Sequence, residues 1–358
     1  MRRTTLPRTL LPSLLLAAPA LAQPVKKDAP RPAASSAPGA GYHLARRVRL
    51  GGAGGWDYLL ADPASHRVFV SHGTHVVVVD ARTDSVIGDI ADTPGVHGIA
   101  LAPELGRGWT SNGRDSTLTV FDYRTLAPIT RVHERGVNPD AITYDSATKR
   151  VFAFNGRTND ALVVDATTDS VLALIPLGGK PEFAVTDGRG MLWVNVEDKS
   201  EIAAIDTRTL AVTTRWSIKP CDEPSGLAID REHRRLFSVC DDVMAVSDPD
   251  AGKVVTTVKI GGGPDAAAFD PDLGLAFASN GDDGGSISVV RESSPSTFRV
   301  VQTVKTQAGA RTMTIDPSTH TLYTVTADFE PAPAATAGQP RQRPRMKPDS
   351  FTLLVIEP

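Results

Sequence analysis

A block of about 42 residues recurs along this chain and constrains its fold more than any single residue does. The segments VFAFNGRTNDALVVDATTDSVLALI (Val151 to Ile175) and LFSVCDDVMAVSDPDAGKVVTTVKI (Leu236 to Ile260) follow one plan, and further copies begin at Val68, Gly108, Met191, Leu275 and Leu322. An anchor column measures the period. Asp80, Asp122, Asp165, Asp206 and Asp248 each close a short apolar run, at gaps of 42, 43, 41 and 42 residues. The column continues at Arg291 and, after an outsized gap of 66, at Glu357. A repeat of this length built from four short strands is the pattern of a β-propeller blade.

Within one copy, runs of four to six residues rich in Val, Ile and Leu alternate with Asn-Gly, Asp-Pro or Asp-x-x-Thr turns, which reads as four antiparallel strands joined by hairpins. No stretch carries a 3.6-residue apolar period, so helices should be nearly absent. Seven blocks plus an excess of about 24 residues in the last account for residues 41–358. The last block lacks its outermost strand, whereas Tyr42 to Leu50 (YHLARRVRL) resembles that strand and precedes the first full block. The expectation is an all-β, seven-bladed propeller of four-stranded antiparallel blades, its ring closed by the N-terminal strand completing the last blade. Closure removes the strand edges that a linear array would expose.

Residues 1–22 have a different character. Arg2, Arg3 and Arg8 precede the apolar run LLPSLLLAAPALA, which ends in Ala20-Leu21-Ala22. This is the pattern of a secretory signal peptide cut before Gln23, and it is too short and Pro-interrupted for a membrane anchor. Residues 23–40, rich in Pro, Ala and Ser, read as a disordered linker. The expected destination is the periplasm, with the cell surface as the alternative. In an oxidising compartment Cys221, ahead of the fifth blade, and Cys240, ending that blade's second strand, are expected to form a disulfide.

The strand, Asn-Gly loop, V-V-D-x-x-T-x-x-V, Gly-Gly-x-Pro and Asp-Pro pattern resembles the YVTN-type (YncE-like) β-propeller repeats of secreted bacterial and archaeal surface proteins. VFVSHGTHVVVVDARTDSVIGDI and VFAFNGRTNDALVVDATTDSVLALIPLGGKPEFAVTD carry the resemblance most fully. It implies a propeller fold and a binding or surface role. Related propellers include lyases, lactonases and quinoprotein-like domains.

Most aspartates read as structural. Asp80, Asp122, Asp165 and Asp206 precede x-Arg-Thr or x-Thr-Thr, where a carboxylate can accept backbone N–H groups ahead and fix the turn. Asp62, Asp145, Asp187, Asp230, Asp270 and Asp316 mark the turn after the first strand at the same end of the ring. Chemistry is expected at the other end. There the residue opening each innermost strand should project into the channel mouth, and alignment on the Asp-Pro turn places Asp57, His97, Asp140, Glu182, Ser225, Asp265 and Arg311 at that position. Behind them the loops between second and third strands supply His72, His75, Asn112, Asp115, Asn155, Asp160, Glu197, Asp198, Asn280, Asp282 and Asp283.

The ring can be read as wet channel lining, or as a site. Clustered Asp140, Glu182 and Asp265 with His97 suit a hard cation such as Ca²⁺ or Mg²⁺, His72, His75 and His97 could serve a transition metal, and His97 as base with Arg311 as clamp would suit a lyase or lactone hydrolase. The insertion in the last blade, residues 331–349, is expected to be a disordered loop bearing Arg341, Arg343, Arg345 and Lys347 on the mouth face. The chain carries a formal charge of −3. Removing Arg2, Arg3 and Arg8 leaves −6, a poor balance for a general nucleic-acid binder. No Walker loop, G-x-S-x-G elbow or H-E-x-x-H motif occurs. The leading expectation is an exported monomeric scaffold that binds a protein partner or small ligand at its loop-rich face. The alternative is a metal-dependent lyase or lactonase at the same place.

Overall fold

Short β-branched runs that are apolar on both faces cannot be satisfied within one sheet, and the chain resolves this by stacking sheets side by side. The structure, a computed structural model, describes residues 41–133, 136–331 and 344–358. The expected signal peptide (1–22), the linker (23–40) and the middle of the last-blade insertion lie outside the described residues. The described residues form seven four-stranded antiparallel sheets in a ring. Two single-turn 3₁₀ segments, Pro103–Leu105 and Glu197–Lys199, are the only helical elements among them. No helix among these residues is long and apolar enough to cross a membrane.

Blades 1 to 6 run inside to outside in chain order. Blade 7 combines Met313–Asp316, Thr321–Thr326 and Thr352–Glu357 with the N-terminal strand His43–Arg49, which pairs antiparallel with Thr352–Glu357 as the outermost strand. Tyr42 anchors this latch: it is buried, and its ring meets Phe277 of blade 6 edge-on at 5.1 Å. Arg46 extends the closure across the seam, pairing with Glu357 at 2.7 Å and with Asp84 of blade 1.

The core is divided into seven clusters, one for each pair of adjacent blades. Second and third strands are buried on both faces, as in Val151–Phe154 and Ala161–Val164, whereas outer strands such as Val171–Pro176 keep one face in water. Innermost strands converge so closely that side chains must be small. A Cβ on Gly226 would lie 2.6 Å from the backbone nitrogen of Ala267 on the next blade, and one on Gly98 would lie 2.8 Å from Ile142.

The anchor aspartates do what their spacing suggests. Asp80 accepts the Arg82 N–H, Asp122 those of Arg124 and Thr125, Asp165 those of Thr167 and Thr168, and Asp206 those of Arg208 and Thr209, at 2.7–3.0 Å. Cys221 and Cys240 form a disulfide with 5.5 Å between their Cα atoms, buried in the cluster between blades 4 and 5. The insertion is ordered further inward than the boundary 331–349 implies. Phe329 bridges Met346, and the Glu330 and Lys347 N–H groups bond Arg345 and Asp328 carbonyls at 2.8 Å.

Two stability outcomes follow. Deleting residues 42–50 should cause aggregation or a large fall in melting temperature, because an interior strand becomes an edge and Tyr42 leaves the core. Arg46→Ala should cost less than about 1 kcal/mol, as exposed ion pairs do; comparable losses for the two would overturn the latch. The disulfide spans a sequence separation of 19. Cys221→Ser and Cys240→Ser should therefore each destabilise by roughly 3 kcal/mol in denaturant unfolding, and thiol titration of unreduced, denatured protein should find no free thiol.

Candidate functional site

The seven innermost strands bring their opening residues together because each blade repeats the same geometry around the channel. Asp57, Asp140, Glu182, Ser225, Asp265 and Arg311 line one cavity of about 530 Å³ at the channel mouth. His97, the seventh, sits beside them with Nδ1 2.5 Å from Asp57 Oδ2 and 3.6 Å from Asp140 Oδ1. Polar groups on the second strands hold these positions. The Ser71 hydroxyl accepts the Asp57 N–H at 2.9 Å, and that of Ser111 accepts the Gly98 N–H at 2.8 Å. Ser111 also donates to the Asp140 carbonyl on the next blade, Ser279 to that of Arg311, and the Asn195 amide to that of Ser225 at 3.0 Å. The ring is therefore tied from blade to blade through buried hydroxyls and one amide.

Each cation at the mouth is held by at least one carboxylate. Lys180 pairs with Glu182 at 2.7 Å and with Glu197, Arg311 pairs with Asp265, and Ser225 donates to the same aspartate at 3.0 Å. Glu223 and Asp241 also line the cavity. They flank Cys221 and Cys240, so the disulfide holds both loops at the rim. Seven carboxylates thus face Lys180, Arg311 and His97.

The imbalance is visible in the proton affinities. Burial raises Asp140, and the charge of Asp57 adds to it against His97 and Lys180. Burial raises Glu182, and Asp140 adds to it against Lys180. Burial likewise raises Asp265 despite Arg311. Burial alone would lower His97, but its hydrogen bond to Asp57 and the charges of Asp140, Asp57 and Glu182 prevail and hold it at about 9. His97 is therefore an imidazolium at neutral pH.

Two aromatic side chains lie beneath the charged rim. Tyr58 and Phe183, which follow the ring positions of blades 1 and 4, meet at a tilt of 34° with ring centroids 4.3 Å apart. Below them is a second, apolar cavity of about 400 Å³ lined by Leu60, Leu101, Ile142 and Tyr144. The mouth is a cup with an aromatic floor.

The loops between second and third strands contribute less than their composition suggests. Of that set only Glu197 reaches the cavity lining. Asn112, Asn155 and Asn280 are buried at strand ends, where Asn112 bonds Thr117 and Thr119 and Asn155 bonds Asp160. His72 is buried with its ring stacked on Phe351 at 4.2 Å, and burial and His75 lower its pKa to about 4. It is a core histidine, apart from His97. Lys180, Tyr58, Phe183, Glu223 and Asp241 escaped the sequence reading. Lys180 had a signal, lying two residues before Glu182 in the Gly-Gly-x-Pro loop; the aromatic pair had none, since its members contact only across the closed ring. The insertion stem touches the rim, with Phe329 6.1 Å from Trp56, the neighbour of Asp57.

No protein-family model matches the chain, and no curated protein matches it. Solved structures do. The chain is similar to a chain of Kuenenia stuttgartiensis hydrazine synthase, at TM-score 0.65 and 16% identity over 75% of this chain and 92% of that one. It is also similar to U3-55K, at TM-score 0.71 and 8% identity over 86% and 97%. The WD40 repeats of RRP9 give TM-score 0.72 and 8% identity over 87% and 97%. At these identities the likeness is one of fold: a β-propeller.

The state of His97 is directly measurable. Its imidazole should titrate by NMR near pH 9, and Asp57→Asn should lower that midpoint by at least about one unit through loss of the paired charge. Because the folded value lies above the ordinary 6.5, its contribution to stability is complete below about pH 6.5 and is lost as pH rises through 9. The stability difference between wild type and His97→Asn should shrink over that interval; a difference independent of pH would overturn the assignment.

Proposed function

We propose that this chain is an exported, YVTN-type propeller scaffold that binds a small cationic ligand, an amine or guanidinium compound, in the mouth of its channel. The observation that carries this reading is the convergence of seven carboxylates against three cationic side chains on a cavity of about 530 Å³, a size suited to a small molecule. Like charges crowded in a partly buried cup are stabilised by an added cation, which favours the charged forms of Asp140, Glu182 and Asp265. Tyr58 and Phe183 at the floor offer aromatic faces for a cationic head group. Export is supported by the basic and apolar opening of the sequence and by the buried disulfide.

The other readings fit the geometry less well. Asp57, His97 and Asp140 each offer a ligand atom within 4.8 Å of the others. However, Ca²⁺ and Mg²⁺ take sets of oxygens, whereas this set includes an imidazole that carries a proton. A lyase or lactonase using His97 as general base would need it neutral, and Asp57 and Asp140 hold it charged at neutral pH.

Spermidine is a suitable probe in calorimetric titration of the full mature chain at low salt. A saturable 1:1 complex is expected, weakened at least about tenfold by Asp140→Asn/Glu182→Gln and by added salt, as for charge pairs near a surface. Affinity should rise between pH 6 and 8.5 as the raised carboxylates ionise. Complex formation should release protons, read as a dependence of the heat on buffer ionisation. Absence of saturation, or an affinity unchanged in the double variant, would overturn the proposal.

A further inference from the structure

The face opposite the mouth carries its own pattern of contacts between blades. At two seams the aspartate ending a first strand accepts a hydroxyl from the residue one past the anchor column of the next blade. The Tyr123 hydroxyl donates to Asp62 at 2.5 Å, and that of Thr207 donates to Asp145 at 2.8 Å. Between blades 5 and 6 the aspartate is Asp230, and the residue at the facing position is Glu292. It follows Arg291, which itself replaces the aspartate of the anchor column. An acceptor therefore meets an acceptor where blades 2 and 4 supply a hydroxyl donor.

Both carboxylates are deeply buried, with side-chain exposures of 3% for Asp230 and 2% for Glu292. Asp230 Oδ1 accepts the Glu232 N–H at 2.8 Å. His233 Nδ1 lies 2.8 Å from Asp230 Oδ2 and 3.1 Å from Glu292 Oε1. His233 Nδ1 is hydrogen-bonded to Asp230, and neither oxygen of Glu292 has a hydrogen-bond partner. Arg235 is committed to the carbonyls of Pro295 and Arg234 and to Asp248. A buried carboxylate whose oxygens accept no hydrogen bond is costly.

We propose that Asp230, His233 and Glu292 hold a divalent transition cation of the zinc type, which joins blade 5 to blade 6 on the face opposite the mouth. The three ligand atoms lie within 4.8 Å of one another. One imidazole nitrogen with two carboxylates suits a borderline cation better than Ca²⁺ or Mg²⁺. The side chain of His233 is 45% exposed, leaving a route inward and room for water as a further ligand. The cation replaces the hydrogen on His233 Nδ1, which leaves to solvent, and takes the place of the hydroxyl donors of Tyr123 and Thr207.

Metal-stripped full-length mature chain titrated calorimetrically with zinc sulfate alone should bind one equivalent, with a melting temperature that rises by several degrees at saturation. Glu292→Gln and His233→Asn should weaken zinc binding at least tenfold, whereas the mouth variant Asp140→Asn/Glu182→Gln should bind as wild type does. Glu292→Thr, which recreates the contact of blade 4, should fold with a melting temperature at or above that of the metal-free wild type and insensitive to zinc. Wild-type protein without stoichiometric zinc, or wild-type affinity in Glu292→Gln, would overturn the site. So would loss of zinc in the mouth variant, which would move the metal to Asp57, His97 and Asp140.

Discussion

Everything in this molecule depends on the burial of both faces of its second and third strands. A run such as Phe152–Phe154 against Leu162–Val164 presents apolar side chains on each side of the sheet, and a single blade can cover neither. Each blade therefore relies on two neighbours, and the seven interface clusters are stable only as a set. The end blades of an open array would each leave an apolar face and a row of unpaired backbone groups exposed. The strand His43–Arg49 and the contact of Tyr42 with Phe277 close the ring.

Closure has an electrostatic consequence. Seven strands converging on one axis bring seven opening residues within reach of each other, and most of them are acidic. In isolation each carboxylate would be an ordinary surface group. Withdrawn from water and set among like charges, Asp140, Glu182 and Asp265 hold protons more tightly than usual, and His97 is held as an imidazolium. Lys180 and Arg311 offset part of this charge, yet each is already held by an acidic partner. The mouth is left with a deficit of positive charge in a cup whose shape is set by hydroxyls, an amide and a disulfide. That combination of rigidity and unbalanced charge is the basis of the proposed cation binding at the mouth. On the other face the same stacking turns one change of residue type, Glu292 where blades 2 and 4 have Tyr123 and Thr207, into a buried acidic pair.

Much of the fold was legible in the sequence because a repeat repeats its errors as well as its rules. The spacing of Asp80, Asp122, Asp165, Asp206 and Asp248 marks a turn whose hydrogen bonds are local, so each copy reports the same conformation independently. The latch was legible by subtraction, since the last copy lacked a strand and residues 42–50 supplied one. The pairing of Cys221 with Cys240 followed from a hairpin that brings both to one end. The second-to-third strand loops were harder. Asn112, Asn155 and His72 look like surface polar groups in sequence, but they turn inward to satisfy strand ends or pack on Phe351, a choice set by neighbours distant in the chain.

The sequence by itself determined the blade, the number of blades and the set of residues that open the inner strands, because these depend on local periodicity and on a count. Only the tertiary structure decided what those residues do to one another. The bond of His97 to Asp57, the aromatic floor of Tyr58 and Phe183, the capture of Lys180 by Glu182 and Glu197, and the confrontation of Asp230 with Glu292 join side chains from different loops, most of them on different blades. Their distances follow from the angle and closeness with which sheets stack around the axis. Electrostatic energies fall with separation and rise with burial, so the charge state of the mouth exists only once the ring has closed.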